Sequence, residues 1–182
     1  AIVASQFIAR SNARATGEAN RTLAEASVSY WQGNYVRTIQ LADQVLNEYG
    51  QTGAANDARR MKADALFWQG DFDSAAMLYK AYLSKDRRDG PLRTAVQTSL
   101  AYTLESKKDF AEAGKLYEEV AAKAPDRMST ADLLLAAGRS YAAAGDREKG
   151  RALYERVAGE YKETPYARDA EVALGELLAQ SK

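Results

Sequence analysis

Four copies of one short phrase recur along this chain at a nearly constant spacing. Gln32-Gly33-Asn34-Tyr35 is followed by Gln69-Gly70-Asp71-Phe72, by Lys107-Lys108-Asp109-Phe110 and by Ala144-Gly145-Asp146-Arg147, a period of 37 or 38 residues. A fixed period in this range marks stacked repeats, each a small unit that buries its apolar face only against its neighbours. The second copy shows what each unit is. Apolar residues at helical spacing run from Met61 to Trp68 before the phrase and from Ala76 to Leu83 after it. Gly adopts the left-handed conformation that ends one helix, and Asp or Asn accepts hydrogen bonds from the free N–H groups that open the next. Each phrase therefore predicts the turn of a helical hairpin, and the fold class is all-α: a solenoid of about four hairpins.

Composition narrows the chemistry. The chain's 182 residues suffice for one domain with a sizeable core. Its 25 basic and 25 acidic residues balance, so no electrostatic feature points to nucleic acid, which requires a basic face. Cysteine and histidine are both absent. That removes disulfides and thiol nucleophiles, together with the commonest general base and transition-metal ligand. No Gly-x-Ser-x-Gly elbow, phosphate-binding loop or paired metal-ligand motif occurs. Glu118 and Glu119 are adjacent and point to different faces of a helix. The expectation is a non-enzymatic protein with no catalytic residue, metal or cofactor.

In chain order, residues 1–16 form an apolar and linker segment. The run Ala1–Ala9 is too short to span a bilayer, which takes about 20 apolar residues. Two readings stay open: the stub of a membrane anchor with Arg10 and Arg14 at the interface, or a helix whose Ile2, Val3, Phe7 and Ile8 pack on a neighbour or on a second copy of the chain. Residues 17–182 form the repeat domain, with hairpins at about 18–50, 55–84, 92–124 and 130–161. The first helix of the first hairpin is expected over Glu18–Gln32. Lys85–Pro91 is a charged connector in which Gly90-Pro91 breaks and restarts the helix. Two other connectors share a phrase, Glu48-Tyr49 with Thr52 and Asp57-Ala58, and Glu160-Tyr161 with Thr164 and Asp169-Ala170. Each Thr is a candidate N-cap, and Pro165 sits at a position where a helix start tolerates proline. A closing helix is expected at about 165–179, covering the apolar face of the fourth hairpin. No linker is long, so one continuous solenoid is expected.

These residues resemble tetratricopeptide repeats. The family pattern asks for a small residue within the first helix, Gly-Asp/Asn-aromatic at the turn, a second small residue and a later aromatic. The second repeat supplies Ala63, Gly70-Asp71-Phe72, Ala75 and Tyr79; the third Ala101, Asp109-Phe110, Ala113, Tyr117 and Pro125; the fourth Gly138, Gly145-Asp146, Gly150 and Tyr154. Lys108 stands in place of the turn Gly, Arg147 in place of the aromatic, and Thr38 and Ala42 depart from the pattern in the first copy. The connector phrase is similar to those of bacterial envelope proteins of this family, such as the ancillary subunit of the SecYEG translocon, a cell-division coordinator and outer-membrane lipoproteins. That similarity implies a periplasmic or envelope location, with anchoring to the inner membrane through an N-terminal membrane helix; the alternative is a cytoplasmic location.

The resemblance also implies where a partner binds. In the family the first helices line a concave face, at positions matched here by Asn20, Leu23, Ser27 and Tyr30; Asp57, Arg60, Asp64 and Phe67; Ala95, Thr98, Tyr102 and Glu105; and Asp132, Leu135, Arg139 and Ala142. Tyr30, Phe67 and Tyr102 are expected to form an aromatic line flanked by Arg60, Asp64 and Arg139, residue types that anchor protein or peptide partners. Ser27 and Asp64 do not match the Lys/Asn constellation with which some members grip a terminal carboxylate. Trp31 and Trp68 are expected to fill the seam between neighbouring hairpins, and Tyr79, Tyr117 and Tyr154 to be core. The implied function is a scaffold for a protein or peptide partner. The alternative is a self-associating subunit, a homo-oligomer that uses Ile2–Ile8 or Val172, Leu174, Leu177 and Leu178.

Overall fold

A computed structural model describes residues 2–86 and 90–179, without the side chains of residues 2–5 and 7–9. Among the described residues there are nine α-helices and no strand: α1 Ile2–Trp31, α2 Tyr35–Glu48, α3 Ala54–Trp68, α4 Phe72–Lys85, α5 Pro91–Ser106, α6 Phe110–Ala121, α7 Arg127–Ala143, α8 Arg147–Glu160 and α9 Tyr166–Ala179. They pair as four hairpins and a closing helix. The chain divides into two compact units, residues 1–88 and 89–182. The division falls in the charged connector, whose Arg87, Arg88 and Asp89 lie outside the described residues.

The turns follow from the repeated phrase. Gly33, Gly70 and Gly145 have φ of 75°, 83° and 89°. The next N–H in each turn reaches back five residues: Asn34 to the Ser29 carbonyl at 2.9 Å, Asp71 to Leu66 at 3.0 Å, Asp109 to Leu104 and Asp146 to Tyr141 at 2.9 Å. Left-handed residue and long return bond together make the Schellman ending of a helix. The Asn34, Asp71 and Asp146 side chains then accept from the backbone N–H groups of Arg37, Ser74 and Lys149, so one phrase closes a helix and opens the next.

Lys108 keeps this geometry without glycine, at φ 67°. A side chain in the left-handed region costs about 1–2 kcal/mol. Lys108→Gly removes that cost and adds some unfolded-chain entropy, so it is expected to stabilise the protein by about 0.5–1 kcal/mol. A raised denaturation midpoint checks this; an unchanged or lowered one contradicts it.

Unit 1 holds α1–α4. Its core joins Ala19 and Ala26 of α1 to Leu41, Ala42 and Val45 of α2 and to Ala54, Ala58 and Met61 of α3, with Leu23 packed against both parts of the cluster. Small residues at the crossings bring the helices close. Thr38, a departure from the repeat pattern, is wholly buried; its hydroxyl meets the Asn34 carbonyl at 3.0 Å and the Ala26 carbonyl at 3.4 Å. A polar group buried in this way keeps its hydrogen bonding.

The first helix is longer than expected. Instead of starting near Glu18, α1 runs unbroken from Ile2, carrying Gly17 in its interior. One exposed helical Gly costs about 1 kcal/mol, too little to stop a helix that has no proline or turn phrase before it. Gln6 and residues 10–14 are exposed. The expected apolar contacts of Ile2, Val3, Phe7 and Ile8 lie outside the described side chains.

Unit 2 holds α5–α9. Leu100, Leu104, Tyr117, Val120, Leu134, Tyr141, Tyr154 and Val157 are buried. Tyr79 of unit 1 is buried too, so all three patterned tyrosines are core. Pro91 begins α5 in the first turn, and the Asp126 side chain caps α7 by accepting from the Ser129 N–H. The Thr hydroxyls of the two similar connectors do not take the expected capping direction. Thr52 donates back to the Tyr49 carbonyl at 2.7 Å, and Thr164 back to Tyr161 at 2.8 Å. Both fasten the end of the helix behind them. Arg147, in the slot of the turn aromatic, donates to the Leu177 carbonyl near the end of α9. The departure in the last repeat thus serves the closing helix.

Candidate functional site

The sixteen positions matched to the family's concave face are all partly or fully exposed. Within unit 1, Asp64 of α3 is held by two neighbours. Arg60, one turn earlier on α3, approaches the Asp64 Oδ2 at 2.7 Å, and the buried Tyr79 hydroxyl of α4 donates to Oδ1 at 2.6 Å. Burial raises the Asp64 carboxyl above its ordinary range, against the pull of Tyr79 and Arg60. The carboxylate links the first helix of this hairpin to the second, and Arg60 beside it is only partly exposed, its Nε buried.

Six aromatic residues of unit 1, Tyr30, Trp31, Tyr35, Phe67, Trp68 and Phe72, cluster at the turn end of its hairpins. The Trp68 indole N–H donates to the Tyr30 hydroxyl at 2.8 Å, and the Trp68 ring stacks on Tyr35, 6.3 Å between centroids and 9° between planes. Phe67 meets Trp68 edge-on and tilts against Phe72; Tyr30 meets Trp31 and Tyr35 edge-on. Burial raises the Tyr30 hydroxyl pKa. Tyr30 and Phe67 therefore share one cluster. Trp68 does reach across the seam to Tyr30 and Tyr35 of the neighbouring hairpin, as expected from its repeat position, but it is not buried there and remains 60% exposed; Trp31, 82% exposed, meets Tyr30 of its own helix instead. Each ends its helix immediately before the Gln-Gly turn, where the side chain leaves the hairpin's flank and reaches its open end.

Within unit 2 the hub is Glu105. Its Oε2 accepts from the buried Tyr117 hydroxyl at 2.9 Å, and its Oε1 from the Arg139 Nε at 2.9 Å. The bond to Glu105 raises the Arg139 pKa further above its ordinary value. Tyr102 stands edge-on to Tyr117 at 5.5 Å and remains 44% exposed. Burial raises its hydroxyl pKa, and the negative charge of Asp132 adds to the effect. So Tyr102 and Arg139, both expected site residues, lie on one face with Glu105 as the anchor between α5, α6 and α7. Glu118 and Glu119 diverge: Glu118 accepts from the Tyr141 hydroxyl at 2.6 Å, while Glu119 faces Lys115.

Beside this face lies a cleft of about 900 Å³, lined by Thr94, Ala95 and Thr98 of α5, Met128 and Asp132 of α7, and Tyr166 of α9. Ala95, Thr98 and Asp132 are among the matched concave positions. The cleft itself was not legible in the sequence, because it needs α5, α6, α7 and the start of α9 together. Among the described residues no group of three acidic side chains is placed to hold a metal ion, and no helix is long and apolar enough to cross a membrane. On the closing helix Val172 and Leu178 are exposed, Leu174 is half-buried and Leu177 is buried.

Two family models, each described as tetratricopeptide repeat, match residues 60–127 and 132–164, together more than half of the chain. The chain is a tetratricopeptide-repeat protein. Solved structures agree on the fold of this tetratricopeptide-repeat chain. A tetratricopeptide repeat protein from Parabacteroides merdae superposes with a TM-score of 0.73 at 11% identity, covering 89% of this chain and 60% of that one. The nearly identical TPR-like repeats of a candidate kinesin light chain from Podosopora anserina give 0.68 at 20% identity, covering 89% and 86%. BtubC from P. vanneervenii gives 0.67 at 14%, covering 94% and 82%. At these identities the likeness concerns the fold alone. Among curated proteins nothing matches. Tetratricopeptide repeats in general mediate protein–protein interaction, which is the coarse function that membership carries.

Proposed function

We propose that this tetratricopeptide-repeat chain is a non-enzymatic scaffold that binds a protein or peptide partner along the first-helix faces of its hairpins. The observation that carries the reading is the cleft of unit 2. It is lined by α5 and α7 positions that the family uses for partners, and it adjoins a face on which Tyr102 and Arg139 stay exposed. Aromatic and Arg side chains held by neighbours bind with little loss of conformational freedom, which suits them to anchor a partner. Tyr102 is held by Tyr117, and Arg139 by Glu105. In unit 1 the pair Arg60–Asp64 is held in the same way by Tyr79. A chain without His or Cys lacks the side chains most used as general base and thiol nucleophile, in keeping with binding rather than catalysis. The similarity of the connector phrase to envelope members of the family supports a bacterial envelope setting.

Site-specific photocrosslinking tests the face. A small aliphatic diazirine side chain, which lines the wall without filling the cleft, placed at Ala95 or Arg139 is expected to give adducts with one partner in the native cell, and the same probe at the exposed Lys115 of α6 is expected to give none. Equal adducts from Lys115, or none from Ala95 and Arg139, would remove the groove reading.

A further inference from the structure

Among the described residues, the cleft of unit 2 holds one charge with no counterpart. Asp132, on its α7 wall, takes part in no hydrogen bond or ion pair among the described residues, although it is partly buried. Arg139, on the same helix, is the cation whose field reaches it, and that guanidinium is already committed to Glu105 through two nitrogens. Lys123, the other charged residue of the lining, is exposed on the turn that ends α6 and already has an interaction of its own. Desolvation raises the Asp132 carboxyl above its ordinary value of 3.8. The Asp132 oxygens are not among the buried polar atoms without a partner and still reach water, and an incoming N–H⁺ donor exchanges that partial hydration for a charge-assisted hydrogen bond.

The neighbouring polar groups favour a donor. The Thr98 hydroxyl donates to the Thr94 carbonyl at 3.0 Å, and the Thr94 hydroxyl to the Gly90 carbonyl at 3.3 Å. With their protons used within α5, both oxygens have only acceptor capacity left. The remaining walls are mainly apolar, from Pro91, Ala95, Val120, Met128 and Leu133, with the Tyr166 ring. A volume near 900 Å³ is at the upper end of what a compact ligand fills, and it admits several side chains.

From this charge complementarity we propose that the cleft takes an apolar peptide segment bearing a single Lys or Arg, whose cationic head meets the Asp132 carboxylate. The assignment rests on the groove reading above and specifies its partner chemistry. The apolar flanks of the segment lie on Met128, Leu133 and Tyr166, and the cation supplies the charge that α7 lacks at this point.

The test uses the full chain, labelled with ¹⁵N, and three acetylated, amidated peptides of sequence Ala-Leu-Ala-Xaa-Leu-Ala-Leu-Gly, with Lys, Met or Glu at Xaa. The Lys peptide is expected to shift the amide signals of Thr94, Thr98 and Ser129, to bind about tenfold more tightly than the Met peptide, and the Glu peptide to bind not at all. In Asp132→Asn the Lys and Met peptides are expected to bind alike. Asp132 has no bond to lose, so Asn leaves the fold undisturbed, and unchanged amide signals outside the cleft check this. Ala95→Trp, at an exposed position of the wall, is expected to fill the cleft and abolish binding of the Lys peptide. Equal binding of the Lys and Met peptides to the unaltered chain overturns the proposal. So does a Lys preference that survives Asp132→Asn, binding that survives Ala95→Trp, or the absence of cleft shifts with every peptide. If the photocrosslinks at Ala95 and Arg139 persist in any of those cases, the groove reading stands and only the cation assignment falls.

Discussion

Tyr117→Ala is expected to destabilise the protein by about 3–5 kcal/mol, the cost of removing a large aromatic from a closed core. The ring is fully buried. It fills the space between α5 and α6, edge-on to Tyr102, and its hydroxyl holds Glu105 in place for Arg139. Burial, with Glu105 beside it, raises its pKa well above the ordinary tyrosine range, so the hydroxyl stays a donor. Tyr117→Phe separates the two contributions. It keeps the packing and loses one hydrogen bond to a carboxylate that Arg139 still pairs, so its cost is expected to be about 1–2 kcal/mol. Denaturant unfolding followed by circular dichroism measures both. Both tryptophans, Trp31 and Trp68, lie in unit 1, so their fluorescence reports that unit and its transition is expected to move less than the helical signal. A loss below about 1 kcal/mol for Tyr117→Ala would mean that the surrounding helices collapse into the vacated space.

The second large effect is expected at Gly138, with the opposite cause. A Cβ there would lie 2.7 Å from the Tyr154 Cε1 and 2.9 Å from its Cδ1. Across the same contact, a Cβ on Gly150 would lie 3.0 Å from the Gly138 carbonyl oxygen. The two glycines let α7 and α8 cross with backbone near backbone and the buried Tyr154 ring over the gap. Ala at position 138 gains about 1 kcal/mol of helix propensity but must displace a packed ring, so Gly138→Ala is expected to be destabilising by about 1–2 kcal/mol net. Gly138→Val adds two methyl groups to the clash and is expected to cost about 3 kcal/mol or more. Gly175 of α9 is the control. Nothing lies within 4 Å of a Cβ built on it, so Gly175→Ala is expected to stabilise by up to about 1 kcal/mol. Thermal or denaturant midpoints that rank these variants otherwise would contradict the close crossing.

Much of this was legible without coordinates because it is local. A Gly-Asp step acts on the five or six residues around it, and Asn34, Asp71 and Asp146 each cap the helix that follows in sequence. Tyr79, Tyr117 and Tyr154 are recognisable as core because they hold equivalent positions in the repeat, and Tyr154 lies over Gly138 of its own hairpin. The misreadings have a common origin. Trp31 and Trp68 hold equivalent repeat positions, yet Trp68 meets Tyr30 and Tyr35 of the preceding hairpin, whereas Trp31, in the first hairpin, is 82% exposed. Thr52 and Thr164 stand where a cap is wanted, but the nearest acceptor lies behind them. Helix α1 outruns the first repeat because no proline or turn phrase before Gly17 stops the helix.

The candidate site divides along the same line. Tyr30, Arg60, Asp64, Phe67, Tyr102 and Arg139 could be named from repeat position. Their partners could not, since Arg139 meets Glu105 across 34 residues and Trp68 meets Tyr30 across 38. The sequence by itself determined the hairpins, their turns, their caps and the faces that pack, because periodicity and backbone preferences act over a few residues. Only the tertiary structure decided which aromatics stay in water, which carboxylate is paired and which is left without a donor. Those properties depend on what neighbouring helices bring to the same few ångströms, and no spacing along the chain encodes that.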